Sequence, residues 1–306
     1  MTYAPIALFT YNRADKTQMA VESLLLNAEA KESDLYIFSD GARNEKAIQG
    51  VEDNRKYIHT ISGFKSITII EREKNWGLAN SLIAGITDVI NKYGRVIVVE
   101  DDIILSPYFL KFMNDGLEKY TDDDRVASIS GFLNPVGEVS EPFFLRYFAC
   151  WGWATWKRGW DLLINDSREL LRRLRWKTND FNIGGTGPFY GILYCDKVGL
   201  NDSWAVRFYA SQFLAGKLQL FPNKTMVIQN GIDGTGTHSG SKDSPFLNMK
   251  LCTSPLNIPN IIVEESVVMY KNYSTFYLFG KKRHSIKREY RCFKSLIRRI
   301  FNLDAQ

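Results

Sequence analysis

Four short apolar runs constrain the fold more than any other feature of the sequence. Each run has the length of a strand and is apolar almost throughout, which is typical of strands buried on both faces of a parallel sheet. The runs lie at residues 6–9, 35–38, 67–70 and 96–99, and helical patterns separate them at 16–29, 44–61 and 78–92. The sequence therefore predicts an α/β fold with a mostly parallel sheet that helices cover on both sides.

The rest of the chain is less regular. It shows helical patterns at 107–120 and 202–215, a strand pattern at 125–130, and four of the seven tryptophans within residues 151–160. No linker-like segment precedes residue 275, so we expect one domain over residues 1–275, with a regular half at 1–105 and an elaborated half at 106–275. Residues 276–306 form a separate tail.

The tail carries most of the positive charge. The whole chain has a net charge of +5, and residues 281–306 contain nine Lys or Arg against two acidic residues. The remaining body is faintly acidic, which argues against a nucleic-acid-binding domain. Apolar residues recur in the tail with helical spacing at Ile286, Tyr290, Phe293, Ile297 and Ile300. This pattern predicts a basic amphipathic helix on an anionic membrane surface; the alternative is a helix that packs its apolar stripe on the domain.

The spacing of the cysteines and the N-terminal sequence indicate the cellular compartment of the protein. The four cysteines show no Cys-x-x-Cys pair and no histidine at ligand spacing, so neither a disulfide framework nor a zinc site is predicted. The first residues do not have the form of a signal peptide, and no apolar stretch approaches the roughly 20 residues of a membrane span. We expect a cytoplasmic protein, with any membrane contact peripheral.

Polar residues follow each predicted strand, where open parallel sheets bind ligands. After the fourth strand come Glu100, Asp101 and Asp102. Adjacent carboxylates repel one another unless a cation neutralises them, and hard oxygen ligands suit Mn²⁺ or Mg²⁺, which complete their shell with phosphate oxygens. The sequence thus predicts a site for a metal and a diphosphate. The alternative is a solvated acidic turn that caps a helix.

The motif and its context resemble a known family. Residues 98–109, Val-Val-Glu-Asp-Asp followed by a Pro-aromatic helix start, are similar to the acidic motif of GT-A fold glycosyltransferases, with the nearest likeness to N-acetylglucosaminyltransferase I and its relatives. Residues 75–81 resemble the Asn-x-Gly-Leu segment of family 2 glycosyltransferases. The resemblance covers roughly residues 4–240 in order. It implies a GT-A (Rossmann-like) fold with a nucleotide-binding half and an acceptor-side half.

The resemblance also implies residue roles on the donor side. Asp102 would bind the metal, Asp101 the ribose, and Glu100 would lie near the donor sugar. Arg13 would contact the diphosphate and Asp40 the base, because a guanidinium forks to phosphate oxygens and a carboxylate accepts from a base N–H. A surface arginine and a turn aspartate are the alternatives. The remaining predicted nucleotide-sugar-binding residues are Thr10, Asn12, Asn75 and Trp153; Trp153 could equally belong to the core.

Two further residues are assigned on the acceptor side. Asp202, before a Trp at a helix start, resembles the family's general base, although Ser203 stands where the relatives place that aspartate; a helix cap is the alternative. His238 lies in a Gly-rich loop that resembles a late family loop whose histidine touches the metal or diphosphate, and an exposed loop histidine is its alternative.

The combined reading is a metal-dependent inverting glycosyltransferase of the hexosyltransferase type, EC 2.4. We expect a UDP-sugar donor, a glycan hydroxyl as acceptor, and, if the tail binds membrane, a lipid-linked acceptor in surface polysaccharide assembly. A sugar-nucleotide nucleotidyltransferase is a rival, but residues 10–13 lack the Gly-rich phosphate loop that such enzymes place after the first strand. A non-catalytic glycan-binding protein is the other alternative, and a broken acidic motif would have favoured it.

Overall fold

The computed structural model describes residues 3–231 and 245–280. Its main feature is an eight-stranded sheet with the order β3-β2-β1-β4-β8-β6-β9-β7, and a second sheet holds β10 and β5. The first four strands are parallel to one another. Their bounds are β1 Ile6–Thr10, β2 Asp34–Ser39, β3 Ser66–Glu71 and β4 Arg95–Glu100. The predicted parallel strands are confirmed.

Three helices connect these strands: α1 Ala14–Leu25, α2 Glu45–Ile58 and α3 Leu78–Tyr93. The prediction placed the end of the first helix at residue 29, whereas α1 ends at Leu25 and a short 3₁₀ helix follows at Ala30–Glu32. The side chain of Asn44 accepts a hydrogen bond from Ala47 N and so caps α2. α3 ends at Gly94, which has a left-handed backbone conformation (φ 75°). Such caps satisfy backbone groups that a helix end leaves unpaired.

The strand β1 shows why the predicted runs are apolar throughout. Ile6 and Leu8 belong to one hydrophobic core together with residues of α1, while Ala7 and Phe9 belong to a second core together with residues of α3. All four side chains are at most 4% exposed. Burying one large aliphatic side chain contributes about 1.5–3 kcal/mol, so a strand covered on both faces needs apolar residues at every position.

The second half of the chain completes the sheet. Its strands are β5 Ile103–Leu105, β6 Val126–Ser130, β7 Phe143–Leu145, β8 Trp153–Trp156, β9 Leu218–Phe221 and β10 Val227–Gln229. Its helices are α4 Phe109–Lys119, α5 Lys157–Trp160, α6 Ser167–Leu174, α7 Thr178–Phe181, α8 Phe189–Lys197, α9 Trp204–Leu214 and α10 at 267–280. β8 pairs antiparallel with both β4 and β6. The predicted helices at 107–120 and 202–215 and the strand at 125–130 are confirmed, with shifted ends.

Strands from both predicted halves thus belong to one sheet, because β4 of the regular half pairs with β8 of the elaborated half. The division of the chain into domain and tail stays a prediction, since residues 281–306 lie outside the described residues. Within the described part of the chain, no helix combines the length and apolar character needed to cross a bilayer.

Candidate active site

The candidate site lies where the strand order of the main sheet reverses. From β1 the chain proceeds to β2 and then β3 on one side, whereas β4 pairs with β1 on the other side. In open α/β sheets such a reversal leaves a crevice outside the carboxyl ends of the two central strands, and ligands bind there. Arg13 follows β1 and the acidic residues follow β4, so the topology brings the two predicted groups to this crevice.

Arg13 bridges two carboxylates in the crevice. Its Nη2 donates to Asp101 Oδ1 at 2.5 Å and to Asp102 Oδ2 at 3.1 Å. The backbone N–H of Tyr11 donates to Asp101 Oδ2 at 3.3 Å. Asp101 is buried, whereas the side chain of Asp102 is 20% exposed. The structure therefore brings together the predicted diphosphate contact and two predicted donor-side carboxylates, and it leaves Asp102 the more accessible of the two.

The electrostatics of this cluster favour a further cation. Burial, followed by the charges of Asp102 and Asp101, raises the pKa of Glu100 to about 8. Burial also raises the pKa of Asp101 to about 6, although Arg13 opposes the shift. For Arg13 burial lowers the pKa, but the two aspartates outweigh it and the net pKa is raised. Asp101 and Asp102 thus share one guanidinium, which leaves negative charge that a cation would neutralise.

The donor set fits a divalent metal of the Mg²⁺ or Mn²⁺ type. Over residues 3–231 and 245–280, no group of three or more ligating side chains is arranged around a common point. Mg²⁺ is usually bound through one or two carboxylates plus substrate phosphates, so it needs no all-protein cage. The exposed oxygen ligands of Asp102 meet this requirement. The other predicted metal ligand, His238, lies outside the described residues.

Asp40 organises the loop between β3 and α3. Its Oδ1 accepts from Gly41 N at 3.0 Å and Trp76 N at 2.9 Å. Its Oδ2 accepts from Gly77 N at 3.0 Å and from Asn75 Nδ2 at 3.1 Å, and Asn75 also donates to Gly41 O. Two of the predicted nucleotide-binding residues, Asp40 and Asn75, therefore bind each other and fix this loop at the edge of the crevice.

Arg72 is a residue that the sequence analysis passed over. It follows β3 and is 9% exposed, and its Nη2 has no hydrogen-bond partner among the described residues. Its guanidinium lies 3.6 Å from the centroid of the Trp76 ring, and Trp76 is 46% exposed. Burial lowers the pKa of Arg72. The signal was its position directly after a predicted strand, but nothing in the sequence shows which of five polar residues there turns inward.

The other predicted nucleotide-binding residues differ in accessibility. Thr10 is 5% exposed, and its hydroxyl accepts from Asn54 Nδ2 at 3.0 Å. Asn12 is half-buried in the connection between β1 and α1. Trp153 is 0% exposed and packs in the second core, which corrects its prediction as a donor contact, because a side chain without accessible surface cannot touch a ligand. Of the four tryptophans in residues 151–160, two lie in the central strand β8 and the other two lie just before and just after it.

Trp153 instead connects the crevice to the N-terminus of α9. Trp153 pairs with Val98 of β4, two residues before the acidic turn, which consists of residues 100–102. It also stacks on Trp204 with ring centroids 5.6 Å apart. Trp204 is the first residue of α9 and Asp202 lies just before it. Ser203, not Asp202, caps α9 by accepting from Val206 N. The alternative role of Asp202 as a cap is therefore wrong, and its side chain is 58% exposed.

The chain returns to the crevice after β10. β10 pairs antiparallel with β5, which follows the acidic turn, and Asn230 N donates to Asp102 O at 2.7 Å. Lys16 Nζ donates to Asn230 O at 3.0 Å. A Cβ added to Gly231 would lie 3.1 Å from Asp102 Oδ2, so a larger residue there would require the Asp102 side chain to shift by a few tenths of an ångström. The segment 232–244, which contains His238, begins at this point.

Comparison with known proteins identifies the family. A model of glycosyl transferase family 2 matches residues 6–180, more than half of the chain. The chain belongs to glycosyl transferase family 2. The matched residues include β1 to β4, Arg13, Asp40 and the acidic turn. The protein is therefore a glycosyltransferase with the GT-A fold, as the sequence predicted; the closer likeness to N-acetylglucosaminyltransferase I stays a prediction.

Two solved structures resemble the chain at low sequence identity. The mannosyltransferase PcManGT from Pyrobaculum calidifontis, solved with GDP-Man and Mn²⁺, is 13% identical with a TM-score of 0.38, and the match covers 70% of this chain and 75% of that one. TarS from S. aureus is 16% identical with a TM-score of 0.28, and the match covers 41% of this chain but only 21% of TarS. No curated protein matches the chain.

Proposed function

We propose that this glycosyltransferase moves a sugar, with inversion, from a nucleoside diphosphate to a hydroxyl of a glycan, and that it uses Mn²⁺ or Mg²⁺. UDP is the expected nucleotide. The observation that carries the proposal is the crevice between β1 and β4, where Arg13 and the acidic turn meet at 2.5 and 3.1 Å. An arginine and a set of carboxylates are the groups that a metal-bound diphosphate requires.

The proposed donor contacts follow the resemblance to GT-A glycosyltransferases, and Asp102 is the more accessible of the two aspartates that bind Arg13. Asp102 holds the metal, Asp101 the ribose, Glu100 lies toward the donor sugar, and Arg13 takes the diphosphate. The metal, when bound, supplies positive charge that balances the diphosphate and stabilises the leaving group. Because Arg13 already points at both aspartates, a cation that takes over their charge would leave its N–H groups available for phosphate oxygens.

The base of the nucleotide would lie along the β2 and β3 edge of the crevice. In the described part of the chain, the Asp40 carboxylate accepts one hydrogen bond from the adjacent Gly41 N and three from residues 75–77 of the loop between β3 and α3, so we assign Asp40 mainly to holding residues 75–77 in place. The exposed ring of Trp76 offers a stacking surface to the base, and the Arg72 guanidinium, 3.6 Å from the centroid of this ring, holds the ring in place. Asn12 and Thr10 border the same edge from β1.

On the acceptor side we propose Asp202 as the general base. It is exposed, it is not the cap of α9, and stacking of Trp204 on Trp153 fixes the start of this helix near the carboxyl end of β4. A carboxylate there can take the proton of the attacking hydroxyl. We also propose that His238 contacts the diphosphate or metal, because its segment begins at Gly231, beside Asp102.

A peripheral membrane role is proposed for the C-terminal region. α10 buries Met269 and Tyr273, while its opposite face exposes large apolar side chains: Val267 by 66%, Val268 by 67%, Leu278 by 45% and Phe279 by 60%. The nine basic residues of the tail follow directly in the sequence. An apolar face beside basic residues is the pattern of a helix that binds an anionic bilayer. A lipid-linked acceptor on the cytoplasmic face would then be presented to the site.

A binding screen tests the donor proposal. UDP-, GDP-, CMP- and dTDP-sugars are added to the protein with Mn²⁺ or with a chelator, and the melting temperature is measured. A ligand that binds only the folded state raises this temperature. We expect UDP-sugars to raise it in the presence of Mn²⁺ and to have little effect with the chelator. Equal stabilisation under both conditions would refute metal-dependent binding.

A further inference from the structure

A buried ion pair lies directly behind Asp202. Arg207, in the first two turns of α9, is 8% exposed at its side chain, and its Nη1 donates to both carboxylate oxygens of Asp196 at 2.8 and 2.9 Å. Asp196, near the end of α8, is 5% exposed at its side chain. A guanidinium that is bound to a buried carboxylate through one nitrogen keeps a fixed orientation for the others.

The second terminal nitrogen of the same guanidinium holds Asp202. Arg207 Nη2 donates to Asp202 Oδ1 at 2.9 Å. In the described part of the chain, the hydrogen bonds to the Asp202 carboxylate end on Oδ1, so Oδ2 remains available to accept a proton. Arg207 therefore joins a buried acid to an exposed one, and the exposed acid is the proposed base.

Asp196 also fixes the backbone next to Asp202. Its Oδ1 accepts from Ser203 N at 2.6 Å, and its Oδ2 accepts from the hydroxyl of Ser167 at the start of α6. The residue that follows Asp202 is thus tied to the same carboxylate that orients Arg207. Asp196 therefore fixes the backbone beside Asp202 directly and the side chain of Asp202 through Arg207.

We propose that Arg207, anchored by Asp196, is a positioning residue that aims Asp202 at the acceptor hydroxyl. The inference rests on the proposed function, since it needs Asp202 to be the base. A solvent-exposed aspartate samples several rotamers, and catalysis by proton transfer requires the carboxylate within hydrogen-bond reach of the hydroxyl. The fork from Arg207 removes this freedom while leaving Oδ2 accessible.

A purely structural role would be the other explanation of the pair, because it also links α6, α8 and α9. Two observations favour positioning. Arg207 Nε is buried without a hydrogen-bond partner among the described residues, so the guanidinium is not oriented for the largest number of bonds. Its second partner is 58% exposed and contributes little to packing. The Arg207 guanidinium is therefore oriented so that it donates hydrogen bonds to both Asp196 and Asp202.

The test is Arg207→Lys in the full-length protein. Lysine keeps the positive charge beside Asp196, but one ammonium cannot reproduce the fork to both acids. Release of nucleoside diphosphate is followed with the nucleotide sugar that gives the largest stabilisation in the screen. We expect kcat to fall by about 10- to 100-fold while the donor KM changes by about twofold or less.

The same substitution in an Asp202→Asn background separates the two roles. If Arg207 acts through Asp202, Arg207→Lys should change the residual turnover of that variant by about twofold or less, because coupled residues are not additive. Arg146→Lys is the matched control. Arg146 binds Glu265 through Nε and Nη2 at 2.9 and 2.8 Å, and because this pair is more exposed than the pair of Arg207 with Asp196, its substitution should lower stability less and should not lower kcat.

Three results would overturn the inference in distinguishable ways. An equal loss of kcat from Arg207→Lys with and without Asp202 would show that the pair is only structural. Unchanged kcat in Arg207→Lys, with Asp202→Asn strongly impaired, would refute positioning while the base assignment stands. Full turnover by Asp202→Asn would refute both the assignment of Asp202 as the general base and the positioning role of Arg207.

Discussion

At the scale of single residues, the sequence located the groups of the crevice but not their pairing. Arg13, Asp101 and Asp102 follow buried strands, and this position together with the resemblance to GT-A glycosyltransferases predicted them as site residues. That Arg13 donates to both aspartates depends on side-chain directions that a linear sequence does not encode. The same reason explains why Arg72 was passed over and why the sequence left Trp153 open between a donor contact and the core, where it lies in the structure.

Asp102→Asn tests the metal assignment. The substitution keeps the shape of the side chain and removes its charge, so metal-dependent binding of the UDP-sugar should be lost or weakened at least about tenfold. Calorimetric titration with and without Mn²⁺ measures this, and the melting temperature should change little because Asp102 is partly exposed. Asp161→Asn is the control, since Asp161 pairs with Lys157 on the surface of α5. Undiminished metal-dependent binding in Asp102→Asn would show that the metal is held elsewhere.

Asp202 and Ser203 allow the base and the cap to be tested as neighbours. Asp202→Asn should lower kcat by about 100-fold with little change in melting temperature, because an amide cannot accept the proton. Ser203→Ala should reduce the free energy of unfolding by about 1 kcal/mol, since the cap of α9 is lost, and should leave most of the turnover intact. The reverse pattern, with stability lost in Asp202→Asn and turnover retained, would contradict both assignments.

At the scale of elements, predictability followed the length of the apolar pattern. β1 to β4 were predicted because their four-residue runs are apolar almost throughout, and α3 because its apolar residues recur with helical spacing. β5, β7 and β10 have three residues each, which is too short for any periodicity to be recognised. β8 was hidden by its composition: two tryptophans at its ends suggested a binding surface or a core cluster, and only the pairing with β4 and β6 shows a central strand.

Gly94, which ends α3, gives a test at this scale. Its φ is 75°, and nothing lies within 4 Å of a Cβ added there, so Gly94→Ala would cost only backbone strain. We expect the free energy of unfolding to fall by about 1–2 kcal/mol in urea denaturation. Gly191→Ala is the control, because Gly191 lies within α8 with equal space around it. That substitution should be neutral or stabilising by up to about 1 kcal/mol; equal destabilisation by both would refute the backbone explanation.

At the scale of the whole molecule, β4 lies between the proposed donor side and the proposed acceptor side of the site. It pairs with β1 on one side and with β8 on the other, and the acidic turn follows at its carboxyl end. Donor groups come from the β1 side, and Asp202 comes from the β8 side through the stack of Trp153 on Trp204. In the proposed function, the two substrates would therefore meet at the carboxyl end of β4.

Truncation after Phe279 tests the role of the tail. The sheet and the proposed site residues all precede this point, so the truncated protein should fold and bind the donor as the full chain does. It should lose binding to vesicles that contain anionic lipid. Binding of the full chain should weaken with added salt, because exposed charges are screened over roughly 8 Å at physiological ionic strength. If the truncated protein unfolds, or if the full chain does not bind anionic vesicles at low salt, the tail packs on the domain.

The most direct test of an inverting, metal-dependent transfer needs no knowledge of the acceptor. Water can replace the acceptor hydroxyl, and proton NMR can record the anomer of the sugar that is released first, before mutarotation. We predict that the UDP-sugar yields the opposite anomeric configuration in the presence of Mn²⁺ and that release stops when a chelator is added. Retention of configuration, or an equal rate with the chelator, would contradict the account.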